Sequence, residues 1–165
     1  MNNAEKFDDI DKASMPQLVD ISIWAILKSD IDTSKFKYED NQMLIPASAV
    51  EKQYKKLFGT QRKIKHQTVS GASYQFTYDT SKKVYKIPIT GVEPTYTPQI
   101  TDISKKSSST VLTVAYLSGG LWEQDENGDM TAPSASKYVK ITLRENDDGT
   151  MYISSIQDTD APEQA

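Results

Sequence analysis

Cysteine is absent from the 165 residues, which rules out disulfides, thiolate metal sites and a cysteine nucleophile. Arginine is almost absent too: Arg62 and Arg144 are the only two, and the other basic side chains are lysine. That is a poor composition for bidentate reading of phosphates or bases, where the planar guanidinium fork is preferred. There is a single histidine, His66. Long apolar runs are also missing; the longest, residues 21–27, is too short to cross a bilayer. Residues 1–10 are polar and acidic where a secretory signal is basic and then apolar. The chain is therefore expected either to be cytosolic or to have had an N-terminal anchor removed. Net charge is −4, which gives no general attraction to nucleic acid or anionic membrane. Hydrophobic residues make up only 37 %, but they cluster in patterned segments, so the low average reflects polar loops and tails.

The clearest pattern lies at residues 73–89. Tyr74, Phe76 and Tyr78 alternate with polar residues, and after a polar turn Tyr85, Ile87 and Ile89 repeat the alternation. Period two of this kind marks strands with one face in a core and one in water. Further period-two segments at 63–69, 97–104, 110–118, 136–145 and 150–157 complete a set of seven candidate strands. Most are separated by short, turn-rich links, which imply antiparallel neighbours. Two links are longer: residues 90–96, with Gly91 and Pro94, and residues 119–135.

Two helices precede these strands. The first is expected over 14–28, with Ser14 and Gln17 at capping-box spacing and Pro16 in the first turn. Leu18, Val19, Ile21, Ile23, Ala25, Ile26 and Leu27 form a wide apolar arc. Gln17, Asp20, Trp24 and Lys28 are left as a narrow, mostly polar stripe, of which Gln17, Asp20 and Lys28 are expected to face water. The second begins near Ser48, with Glu51 three residues on, and Val50, Tyr54, Leu57 and Phe58 share one face before Gly59 stops it. Residues 43–45 fit a short strand or a packed loop.

Helices followed by antiparallel strands imply an α+β fold, with N-terminal helices on a curved meander sheet of six to seven strands. Residues 1–13 are expected as a flexible lead-in, 14–157 as one domain and 158–165 as a disordered tail. The order of elements resembles the cystatin-like and NTF2-like superfamily, in which a helix lies in the concavity of a meander. The segments IPASAVEKQYKKLFG, YDTSKKVYKIP, YVKITL and MYISSI resemble extracytoplasmic domains of uncharacterised Gram-positive membrane-anchored proteins or lipoproteins. That resemblance implies surface location and no particular reaction, and the lipobox cysteine of such lipoproteins is missing here.

Candidate sites are few. His66 lies in a lysine-rich strand with no sequence sign of an orienting partner, and reads as an exposed strand residue rather than a catalyst. Asp20 resembles the carboxylate base of NTF2-like isomerases only if it is buried; a tyrosine hydroxyl on the sheet would then be its natural partner. Lys52, Lys55, Lys56, Arg62, Lys63 and Lys65 form a local positive patch able to meet a polyanion such as wall teichoic acid, without any nucleic-acid motif. The acidic run at 125–129 fails as an EF-hand, since glycine stands fourth and Ser136 twelfth. Trp122 is either folded onto a sheet or an anchor for a partner. No cofactor, metal or catalytic residue is expected. The leading expectation is a non-enzymatic domain of the cell envelope that meets an envelope protein or wall polymer, any membrane contact coming through an anchor. The alternative is an NTF2-like small-molecule pocket, either binding or catalytic, lined by Tyr74, Phe76, Tyr85 and Trp24.

Overall fold

A computed structural model describes residues 6–89, 96–118 and 122–162. It is α+β, with two α-helices and open antiparallel sheets. The chain groups into two compact units, residues 11–91 and residues 1–10 with 92–165, where the sequence alone reads as one domain over 14–157. The strands likewise group into sheets of five, four and two rather than one meander of six to seven. The change falls at the long link after residue 89, most of which lies outside the described residues.

In the unit spanning 11–91, α1 (Met15–Lys28) starts after Ser14, whose side chain makes no capping bond. The helix buries Leu18, Val19, Ser22, Ile23 and Ile26. Ser22 satisfies its hydroxyl on the Leu18 carbonyl at 2.7 Å, so a polar residue sits in the apolar arc at little cost. Helix α2 (Ala47–Phe58) starts one residue before Ser48, with Pro46 at the cap. The capping box at Ser48 does not form; Glu51 pairs forward with Lys55 at 2.8 Å. Val50, Tyr54 and Phe58, spaced by four, are buried as expected, and Gly59 closes the helix at φ 76° with its N–H on the Lys55 carbonyl.

The five strands of this unit run β1-β2-β5-β4-β3: β1 (Lys37–Glu39), β2 (Gln42–Pro46), β3 (Val69–Ser70), β4 (Gln75–Asp79) and β5 (Val84–Pro88). Asp40 and Asn41, at φ 50° and 58°, make the two-residue turn that suits the twist of a hairpin. Tyr78 stands opposite Tyr85, so the alternation read from the sequence is the real pleat. Phe76, Tyr85 and Ile87 are buried, whereas Ile89, one residue past β5, is exposed. Val19, Ile23, Ile26, Ile45, Val50, Val69, Phe76, Tyr85 and Ile87 form one core cluster between helices and sheet.

The strand expected over 63–69 is only β3. Ile64 and His66 are half-buried and Lys63 and Lys65 exposed, so the alternation is real, but side-chain bonds replace the ladder. Arg62 Nη1 donates to the Ala13 carbonyl at 2.6 Å and Thr68 Oγ1 accepts from the Tyr78 N–H at 3.0 Å.

The other unit holds β6 (Tyr96–Lys106), β7 (Ser109–Ser118), β10 (Ala135–Glu145) and β11 (Met151–Thr159), in the order β11-β10-β7-β6. A small hairpin, β8 (Glu123–Gln124) and β9 (Met130–Thr131), occupies the long link. Strand β11 continues through Asp158 and Thr159, which pair with Val139 and Tyr138, so the tail begins two residues later than expected. Residues 6–10 are docked rather than frayed: Phe7 bridges Ile156, and the Ile10 N–H reaches the Ser154 carbonyl at 3.1 Å. Phe7 and Ile10 are the two apolar side chains in an acidic stretch, and both are buried. Strand β6 forms the free edge of the four-stranded sheet. It carries Pro98, a register break between Ile100 and Asp102, and Lys105 and Lys106 at its end, three devices that oppose the addition of another strand.

Candidate functional site

The aromatic residues singled out in the sequence converge on α1, with one exception. Trp24 lies 5.2 Å from Tyr74, edge to face, and 5.6 Å from Phe76, while Tyr74 and Phe76 are 4.7 Å apart. Trp24, on the polar stripe of the helix, therefore lies against the sheet aromatics. Lys28 keeps the outer position, its ammonium 5.9 Å over the Trp24 ring. Tyr85 is fully buried further along the same sheet face, 4.9 Å from Tyr78. Trp122, the exception, belongs to the other unit. It is 49 % exposed.

Gly71 accounts for the position of Tyr74. A β-carbon at Gly71 would fall 2.2 Å from Cε1 of the Tyr74 ring, so glycine alone leaves room for the ring. From there the Tyr74 hydroxyl donates to Asp20 Oδ2 at 2.7 Å, the tyrosine partner that a buried Asp20 requires. Asp20 Oδ1 and Trp24 Nε1 are both buried without a hydrogen-bond partner among the described residues. Burial raises the carboxyl pKa above its ordinary 3.8, and the Tyr74 bond opposes the rise. A raised carboxyl destabilises the folded state when ionised, and the cost is relieved as pH falls through the folded pKa towards 3.8. Asp20→Asn is therefore expected to raise the melting temperature at pH 7, with the gain shrinking in acid. A lower melting temperature at pH 7 would show that the charge is compensated.

His66 has the orienting partner that sequence spacing does not reveal. Its Nδ1 lies 3.0 Å from the Tyr85 hydroxyl, and its ring stacks on Tyr78 at 5.3 Å and 22°. With Nδ1 as the partner of that hydroxyl, a neutral imidazole protonated at Nε2 lets the phenol donate to it. Burial pushes the Tyr85 pKa well above its usual value of 10, which keeps the phenol a donor.

Other polar clusters are internally satisfied. In a cleft lined by Glu39, Asp40, Lys82 and Lys86, Lys82 pairs with Glu39 at 2.9 Å and Lys86 with Asp79 at 3.1 Å. In the acidic run, Asp125 Oδ1 accepts from the Asn127 and Asp129 N–H groups, so that carboxylate shapes a turn. Lys52, Lys55, Lys56, Lys63 and Lys65 are all exposed. On the four-stranded sheet, Lys137 lies 5.6 and 5.0 Å over the rings of Tyr96 and Tyr116, a cluster with no local sequence signal because its members come from three strands. Ile100 and Ile103, opposite Val114 and Leu112, are more than half exposed.

Comparison with known proteins returns no matching family profile, no similar curated protein and no similar solved structure.

Proposed function

We propose that the chain is a non-enzymatic interaction domain of the cell envelope, which meets an envelope protein or wall polymer through apolar side chains on the unit that carries β6 and Trp122. The observation that carries the reading is a contrast. The layer between α1 and the five-stranded sheet is filled by Val19, Ile23, Ile26, Phe76 and Tyr85, all 2 % exposed or less, while Ile100, Ile103, Trp122 and Met130 stand about half exposed. Exposed aromatics and aliphatics of this size are the side chains that anchor partners. The resemblance of four segments to Gram-positive surface domains supports the location.

The test uses Trp122→Ala and the pair Ile100→Ser with Ile103→Ser. Trp122→Ala is expected to change stability by less than about 0.5 kcal/mol, as for an exposed side chain, and to abolish retention on isolated Gram-positive cell envelopes. Unchanged retention in both variants sinks the reading. A large fall in melting temperature for Trp122→Ala would instead make it a core residue.

One observation favours a second reading, the NTF2-like small-molecule pocket. The buried, unpartnered Asp20 Oδ1 and Trp24 Nε1 are an acceptor and a donor one helical turn apart, beside Tyr74 and Phe76, and buried polar groups left unpaired are characteristic of binding sites. Saturable binding of a small molecule, lost in Asp20→Asn and retained in Trp122→Ala, would favour it.

A further inference from the structure

Residues 60–68 join α2 to β3 as a strap across the aromatic face, and within that strap residues 63–68 carry no strand pairing. Its attachments are side-chain bonds: Arg62 to the Ala13 carbonyl, the Lys65 N–H to Met15 Sδ at 3.4 Å, and Thr68 to the Tyr78 N–H. At its centre the hydroxyl of the buried Tyr85 lies 3.0 Å from His66 Nδ1. We propose that His66 is a proton-operated pin, and that acidification releases the strap and adds Arg62 and the imidazolium to the already exposed Lys63 and Lys65 as a site for a polyphosphate-type anion.

The geometry gives the direction. An imidazolium only donates, so on protonation the Tyr85 hydroxyl proton has no acceptor at Nδ1. The imidazolium would also have to remain beneath the Tyr78 ring, half-buried. Groups facing His66 are Tyr78 and Tyr85 from the sheet and Glu51 from α2, with Lys65 beside it on the strap. Burial lowers the His66 pKa below its ordinary 6.5, and the Glu51 charge opposes this only in part. Glu51 itself is engaged by Lys55. Since the closed strap binds the proton less well than the open one, its stability is lost as pH falls through about 6.5 towards the lowered folded value. The proton can bias opening only by the difference in its affinity for the two forms, about tenfold for each unit of pKa separation.

Because His66 is the only histidine, its imidazole resonance reports the pin without assignment. The expected result is a midpoint below 6.5, with amide exchange at residues 62–68, corrected for intrinsic rate, accelerating about tenfold or more between pH 7.5 and 5. His66→Gln should abolish that pH dependence, and Tyr85→Phe should open the strap at both values. Glu51→Gln should lower the midpoint further. Inorganic polyphosphate should bind the wild type more tightly at pH 5 than at 7.5, and His66→Gln equally at both. A midpoint at or above 6.5, or exchange that does not change with pH, overturns the pin. Release without tighter polyphosphate binding overturns the anion site.

Discussion

Replacing Phe76 by alanine is expected to lower the stability of the unit spanning 11–91 by about 3–5 kcal/mol, the range for emptying an aromatic site in a packed core. Phe76 is 2 % exposed and stands opposite Val69 on β3. Its ring touches both Trp24 and Tyr74, so it joins the helix to the sheet edge. Tyr74 is itself bonded to Asp20 and confined beside Gly71, which limits how far it can close over the void. Urea denaturation followed by far-ultraviolet circular dichroism measures the effect. A loss below about 1 kcal/mol, the scale of a surface substitution, would mean that the neighbours collapse freely or that the sheet faces are reversed. Phe76→Leu keeps most of the volume and should cost much less.

The second large effect is expected at Gly71, where addition of a single methyl group has to expel the Tyr74 ring. The φ angle there is not in the left-handed region, so the consequence is steric, and the backbone remains compatible with alanine. Moving Tyr74 breaks its bond to Asp20 and leaves the carboxylate with both oxygens unpaired in a half-buried position. Losing a hydrogen bond to a charged group costs about 1.5–3 kcal/mol, and Gly71→Ala should fall in that range. Tyr74→Phe removes the same bond directly. The two substitutions should therefore be strongly non-additive, the double variant being little worse than either single one. Full additivity would show that Gly71 and Tyr74 act separately. Gly71→Ala combined with Asp20→Asn should recover part of the loss, since the amide is cheaper to leave unpaired than the carboxylate.

What the sequence reveals about this chain follows the range of the interactions concerned. The period-two alternation at Tyr74, Phe76, Tyr78 and Tyr85 is a local property, and the strands fall where it places them. The first helix starts after Ser14 as expected and the second is capped two residues before Ser48, at Pro46; neither capping box forms, and Val50, Tyr54 and Phe58, like Leu18, Ile23 and Ile26, are fixed by burial rather than by capping. The grouping of strands into separate sheets has no local signature: a hairpin looks the same whichever sheet receives it. The true setting of Asp20 is hidden for a related reason. A carboxylate on a helix reads as solvent-facing until a tyrosine 54 residues later, given room by Gly71, arrives to bond it. His66 and Tyr85 are likewise ordinary residues apart, and acquire a role only through a contact between a strap and a strand.

The guarded edge of β6 has a consequence for how recognition on this chain would diversify. With Pro98, the register break at Thr101 and the terminal lysines obstructing main-chain pairing, a partner has to be chosen by side chains such as Ile100 and Ile103. Main-chain pairing is tolerant of sequence, whereas side-chain contacts are rewritten one substitution at a time. Exposed positions on a finished sheet can change with little effect on stability. The same edge that keeps copies of the chain from templating one another thus leaves an evolvable face, open to new partners by point mutation while the fold beneath stays as it is.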